Sequence, residues 1–272
     1  MRFEDFARAH GLVINSVAMN RWVAVPTEDH PKKRNGRYKY MGEVGWVQNW
    51  ATMNEPAMWR SEGATPVSIA KLQAKAMKDQ REAQEKAARK AAWIMHNAKK
   101  ETHPYLAAKG FPEMKGYVWN GLLVLPMRIE GNLVGSQLIN EQGEKKFLYG
   151  QRTKGASLVM DAGGSHFFCE GFATGLSIRA ALRAVNTRYC IHICFSAGNL
   201  KAVGGSIPGG FVIADADSNG VGEKCARETG KPYWLARALG DDFNDYHKKV
   251  GSLEAGRSLL DMISQSQMQS AA

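Results

Sequence analysis

Three carboxylates stand where apolar runs end. Glu170 directly follows HFFC and precedes Gly171, while Asp215 and Asp217 follow FVIA and are separated by one alanine. Short apolar runs of this kind have the length of buried strands. In an open α/β sheet, polar site residues collect just beyond the strand C-termini. If the two strands are neighbours, all three acids share one crevice. Their mutual repulsion then has to be offset by a hard divalent cation or a raised pKa. Mg²⁺ takes oxygen ligands, keeps several waters and works with phosphates, so the constellation suits phosphoryl transfer. Taken singly the pieces are weak: loops often hold a DxD, and a glutamate at this place also suits a helix N-terminus.

The elements that must position these acids read as an α/β unit. Over 163–240, strands are expected at 165–169, 189–195, 211–214 and 232–235, with helices at 173–185, 200–203 and 220–230. Such alternation implies a mainly parallel sheet flanked by helices. Ahead of it, 101–162 reads as a β-meander, with an apolar strand at 122–126, the turn Glu130–Gly131–Asn132 and an alternating strand at 133–139. Residues 68–97 contain no Gly or Pro and are rich in Ala, Lys, Gln, Glu and Arg, the composition of a long helix. The expected organisation is a small aromatic-rich basic unit (1–62), a basic bridging helix (63–100), a β-rich subdomain (101–162), a catalytic α/β domain (163–250) and a C-terminal helix with a frayed tail (251–272).

With these elements in place, several stretches resemble one family. Residues 163–240 look like a Toprim domain, the catalytic module shared by bacterial-type primases, type IA and II topoisomerases and some nucleases. Residues 102–250 more narrowly resemble the Toprim primases of plasmids and satellite phages, through HPYLAAKGFP (103–112), LLVLPM (122–127), GSQLINEQGEKKFLYG (135–150), CEGFATGLSI (169–178), CFSAGNL (194–200), IADAD (213–217) and GDDFNDYH (240–247). The resemblance implies that Asp215 and Asp217 hold Mg²⁺ or Mn²⁺. It places Glu170 opposite them, either as a metal-linked carboxylate or in proton transfer from an attacking 3′-hydroxyl. Asp242 and Asp245 fall where such primases carry further acids; one of them either binds a second metal or caps a helix. Ser196, Gly198 and Asn199 are expected along a nucleotide-facing edge or as plain loop residues. Lys145, Lys146, Arg152 and Lys154 are expected to meet a template backbone or triphosphate, or to be simply solvated.

The sequence also departs from that family. Its primases begin with a zinc module, whereas the first cysteine here is Cys169 and none of the four cysteines forms a CxxC pair. No zinc is therefore expected. The N-terminal unit instead interleaves Lys32, Lys33, Arg34, Arg37 and Lys39 with Tyr38, Tyr40, Trp46 and Trp50. Basic groups neutralise phosphates and aromatics stack on bases; equally, the tryptophans suit the core of a tiny domain. The net charge of +10 is concentrated in residues 1–100, which carry 18 basic and 10 acidic groups. That bias favours a polyanionic partner.

No GxxxxGK[ST] loop is present, since GSLEAGRS carries Arg257 in place of the lysine, so ATP-driven unwinding is not expected and a separate replicative helicase would have to supply it. The N-terminus has no apolar secretory run and no window reaches 18 apolar residues, which points to a cytoplasmic protein without membrane contact. The expected activity is metal-dependent synthesis of short RNA primers from ribonucleoside triphosphates on single-stranded DNA, in phage or plasmid replication. A Toprim nuclease and a non-catalytic nucleic-acid-binding replication protein are the alternatives. A topoisomerase would need tyrosine-bearing and gate domains for which 272 residues leave no room.

Overall fold

In the computed structural model, which describes residues 1–53, 55–63, 65–216, 220–236 and 240–271, the chain folds as two units, 1–82 and 83–272. The first opens with helix α1 (Phe3–Ala9), followed by strands β1 (Trp22–Val25), β2 (Gly36–Tyr40), β3 (Val44–Asn49) and β4 (Ala57–Arg60). These strands form an antiparallel meander in the order β1-β2-β3-β4. The fourth strand was not expected from its short sequence, AMWR. Phe3, Leu12, Val25, Tyr38, Val47 and Trp59 bury against one another as the core. Gly45 is required on β3 because a Cβ there would collide with the Phe3 ring.

Helix α2 (Pro66–Asn97) is as long as its composition implies. Its early turns bury Ile69 beside Met41 and Val44. In the second unit its last turns bury Ala91 and Ile94 with Val124 and Leu148. Each apolar patch is small, in keeping with the alanine-rich sequence.

The second unit continues with β5 (Lys99–Thr102), α3 (Pro104–Ala108), β6 (Lys115–Trp119), β7 (Leu122–Ile129), β8 (Asn132–Ile139) and β9 (Lys145–Phe147). Five antiparallel strands in sequential order make the expected meander, with β5 and β6 added ahead of it. Then follow β10 (Leu158–Asp161), β11 (Ser165–Cys169), α4 (Phe172–Ala184), β12 (Tyr189–Ile193), α5 (Ala197–Ser206), β13 (Phe211–Ala214), α6 (Val221–Arg227), β14 (Tyr233–Leu235) and α7 (Phe243–Ala271).

The second sheet has the order β10-β12-β11-β13-β14. Strands β11 to β14 run parallel, and β10 pairs antiparallel with β12. The antiparallel edge strand was absent from the sequence expectation. Alternation along β11 sends Phe167 to one face and Phe168 to the other. Phe167 joins Leu176, Ile178, Leu182, Ile191, Ile213 and Leu259 beneath α4 and α7. Phe168 joins Leu200, Val203, Val212 and Ala226 beneath α5 and α6. All five residues of β12 are buried, His192 among them, in keeping with a strand covered on both faces.

Two glycines set close approaches. A Cβ at Gly175 would press on Ile193, and one at Gly256 would meet the Ala181 carbonyl, so α4 seats on the sheet and α7 on α4 only with these positions bare. The two sheets of this unit share one core, and a two-bond bridge joins them: Arg128 N–H donates to Ser157 O (3.0 Å) and Ser157 N–H to Arg128 O (2.9 Å). Helix α7 is broken at Gly251, where φ is 80°, and otherwise continues to Ala271. The frayed tail expected from SQSQMQSAA is thus helical through Ala271.

Candidate active site

Glu170 and Asp215 arrive at one place because β11 and β13 are adjacent and parallel, with Cys169 opposite Ile213. Each acid sits just past its strand. Both line a cavity of about 360 Å³, together with Asp242 from the segment leading into α7. Asp217 lies outside the described residues. The buried thiol of Cys169 reports the same convergence. Its pKa is pushed well up by burial, then by Cys194, Asp215 and Glu170, so it is an inert core thiol rather than a nucleophile.

Backbone bonds fix the strand ends. Phe195 N–H donates to Glu170 O (2.8 Å), extending the β11–β12 pairing past the strands. Phe195 itself lines the cavity with φ at 69°, an uncommon conformation for a bulky residue and one that tends to be retained at functional sites. On the other side, Ala216 N–H donates to Asp241 O (3.2 Å) and Gly240 N–H to Ala216 O (2.6 Å). These tie the segment after Asp215 to the one before Asp242. A Cβ at Gly222 would press on the Asp215 carbonyl, so the first turn of α6 must stay bare for Asp215 to keep its place.

Gly171 is the N-cap of α4, in extended backbone (φ −98°, ψ 152°) and without a side-chain cap. Any residue reaches that conformation, so the backbone does not demand glycine there. Glu170 is one residue outside the cap, and the N-terminal residues Ala173 and Thr174 line the cavity. The positive end of the helix dipole therefore faces the cavity. Tyr105 lines the opposite wall. Its phenol is pushed up to about 12 by burial and then by the Asp242 charge, so it stays neutral at ordinary pH.

Asp242 and Asp245 cap α7 reciprocally. Asp245 N–H donates to Asp242 Oδ1 (2.8 Å) and Asp242 N–H to Asp245 Oδ2 (3.4 Å). Asp242 thus takes part in the cap while also lining the cavity. Asp245 caps, and does not line the cavity.

The expected phosphate-facing residues separate. Lys145 lines the cavity; Lys146, Arg152 and Lys154 are exposed and do not. Lys109, Gln137, Glu141 and Gln142 line it as well without having been singled out, although Lys109 lies within HPYLAAKGFP and the others in the GSQLINEQGEKKFLYG stretch. The signal was the motif itself, whose polar residues face inward.

Asn199 is a correction to the nucleotide-facing edge. It is buried, its Nδ2 donates to Ala156 O and Cys194 O (both 2.7 Å), and its Oδ1 accepts from Gly155 N–H (2.7 Å). With all its amide atoms engaged it is a structural latch. Ser196 accepts from Asn199 N–H as the N-cap of α5, and neither it nor Gly198 lines the cavity.

The N-terminal unit is likewise sorted by the fold. Tyr38 is 1% exposed, and its phenol donates to Ser16 O (3.0 Å) and accepts from Ala18 N–H (2.9 Å). It has no face left for a base. Tyr40 stacks on Phe3 at 4.7 Å, and Trp46 packs with Met41, Val44 and Ile69. What remains outside is Trp50, 48% exposed, and Trp22, 43% exposed, which had not been singled out. The Arg37 guanidinium lies 4.5 Å from the Trp22 ring and 5.5 Å from Trp50, held by two bonds to Gln48 Oε1 (3.1 and 2.8 Å). Lys39 is half-buried opposite both Trp22 and Trp46 in the sheet register. Lys32, Lys33 and Arg34 are exposed between β1 and β2.

No protein-family model matches the chain, and no curated protein matches it. Among solved structures, the chain is similar to the primase fragment of the bacteriophage T7 primase-helicase protein, at 14% identity and a TM-score of 0.41, over 61% of this chain and 74% of that one. A second similarity is to a chain in the structure of the bacteriophage T7 lagging-strand DNA polymerase interacting with primase domains of two gp4 subunits bound to an RNA/DNA hybrid and dTTP. There the identity is 13% and the TM-score 0.41, over 61% of this chain and 91% of that one.

Proposed function

We propose that residues 83–272 form a metal-dependent nucleotidyltransferase that makes short RNA primers on single-stranded DNA. The observation that carries this reading is the shared cavity: Glu170, Asp215 and Asp242 on one side and Lys109 and Lys145 on the same surface. Carboxylates gathered at strand ends are the oxygen donors a hard Mg²⁺ or Mn²⁺ takes, so the residues present fit such an ion. Asp215 and Asp242 would hold it, with Asp217 following Asp215 in sequence. The ion would neutralise triphosphate charge and stabilise the charge that develops on transfer.

The chain's own groups do the rest. Lys109 and Lys145 attract the phosphates, and the N-terminus of α4 adds backbone donors. Glu170 accepts the proton of the attacking 3′-hydroxyl or serves as a metal-linked carboxylate. Tyr105 closes the wall as a neutral hydrogen-bonding group. The resemblance of the surrounding motifs to Toprim primases narrows phosphoryl transfer to primer synthesis. In the N-terminal unit, the Trp22–Arg37–Trp50 stack beside Lys32, Lys33 and Arg34 suits single-stranded DNA, with aromatics for bases and cations for phosphates. Duplex opening falls to a separate replicative helicase, and the setting is phage or plasmid replication.

Template-dependent incorporation of labelled ribonucleotides with Mg²⁺ or Mn²⁺ tests this. Asp215→Asn is expected to lower incorporation by about 10²–10³-fold, the scale of losing one preorganised electrostatic partner of a transition state. Glu170→Gln is expected to do the same, with DNA binding retained in both. DNA cleavage without nucleotide addition would replace the proposal with a nuclease. Tight DNA binding with neither activity would leave a binding protein.

A further inference from the structure

We propose that His166, Cys190 and His192 form a three-donor binding site for a zinc ion on the central sheet, apart from the acidic cavity, with the fourth position open to water on the side of Asp161. The nitrogen and sulfur atoms of His166, Cys190 and His192 lie within 4.8 Å of one another. His166 Nδ1 is 2.9 Å from His192 Nε2, and Cys190 Sγ is 3.5 Å from the same nitrogen.

The sheet register makes this grouping. His166 on β11 is directly opposite Cys190 on β12, and Cys190 is directly opposite Asp161 on β10. Residues opposite one another share a face, and residues two apart on a strand share it too. Asp161, Cys190, His166 and His192 therefore occupy one face across three strands. It is the face bearing Phe168, whose ring stacks on His192 at 4.9 Å. The Asp161 carboxylate reaches the Cys190 thiol and accepts from Gly163 N–H at 2.8 Å.

Imidazole and thiolate are soft to borderline donors, which select Zn²⁺ over Mg²⁺. Tetrahedral Zn²⁺ bonds of about 2.0–2.3 Å place donor atoms about 3.3–3.8 Å apart, so the His166–His192 pair must open slightly and a pair near the 4.8 Å limit must close by about 1 Å. Cys190 and His192 are each 6% exposed while Asp161 is open to solvent. The site thus has a dry floor and a wet side by which an ion enters. On binding, the thiol proton leaves to solvent and no oxidation occurs. The site sits at the start of β11, and Glu170 at its end is four residues on, about 13 Å along a strand. An ion here would clip β12 and β11 together and would not reach the phosphate chemistry. Spacing along the chain, the basis for expecting no zinc, does not register ligands brought together across strands.

The test uses the full chain, stripped with chelator, dialysed and titrated with Zn²⁺ or, as a spectroscopic probe, Co²⁺. One thiolate-ligated ion per chain is expected, with a thiolate-to-cobalt charge-transfer band and a rise in Tm on adding Zn²⁺. Cys190→Ser is expected to abolish the band. His166→Gln, at a half-buried position where folding can be checked by circular dichroism, is expected to weaken Zn²⁺ binding by more than roughly 100-fold, the upper end for losing an outer-shell partner. Asp215→Asn is expected to leave the band intact, which separates this site from the acidic cavity. Absence of the band, or a band unchanged in folded His166→Gln protein, would overturn the proposal.

Discussion

Two groups of residues invited functional readings, the aromatics of the N-terminal meander and the acids of the mixed sheet, and the fold treats them differently. Tyr38 and Tyr40 lie within β2 on the one face that a small domain must use for its core, both against Phe3, and Tyr38 is almost completely buried. Glu170 and Asp215 lie just beyond β11 and β13, where no neighbouring strand covers them, and both reach the cavity. Position relative to a strand end thus decides more than residue type. An aromatic inside a four-residue or five-residue strand is first a packing element; an acid after an apolar strand has nowhere to go but the rim.

The contrast is sharpest at Tyr38. Tyr38→Ala is expected to destabilise the N-terminal unit by about 3–5 kcal/mol, the cost of truncating a large buried ring, measured by denaturant unfolding. Little change would mean that Tyr38 is available for binding after all and would erase the distinction. Tyr105 gives the next effect, on the other side of the comparison. Its folded-state pKa is near 12 against 10.0 for the free group. The unfolded chain therefore ionises first, and stability that is complete below pH 10 is lost as pH rises toward 12. The loss is on the order of 2–3 kcal/mol. Unfolding curves across that range should show it, and Tyr105→Phe should remove that contribution.

The smallest effect is at Trp50. Trp50→Ala is expected to leave thermal stability nearly unchanged while weakening single-stranded DNA binding about tenfold, within the roughly 1–3 kcal/mol of one base–aromatic stack. Fluorescence anisotropy at fixed salt would measure it. A loss of stability instead would put Trp50 with Tyr38.

Much of the arrangement was legible in the order of apolar runs. The strands at 165–169 and 211–214 are where their sequences place them, as is the helix after Glu170. What escaped detection has a common cause. Strands β4, β5 and β10 are four residues each, and β5, KKET, is fully exposed. Strand β5 is held by its neighbour's backbone alone, and β4 and β10 bury only one or two side chains each, too few to leave a pattern in the sequence. The same holds for Lys109, Gln137 and Phe195, whose roles exist only once distant segments face one another. Asn199 looked like a loop residue because its three partners are at 155, 156 and 194, most of them more than forty positions away.

That asparagine, with the Arg128–Ser157 bridge, has a mechanical consequence. Lys145 hangs from one sheet and Glu170 from the other, and both fastenings fall within the short linker at 155–157 that joins them. The aperture between cation and acids is therefore gauged by a clasp that touches no substrate. Slackening it would leave Lys145, Glu170 and Asp215 all present, yet held at a different span across the cavity.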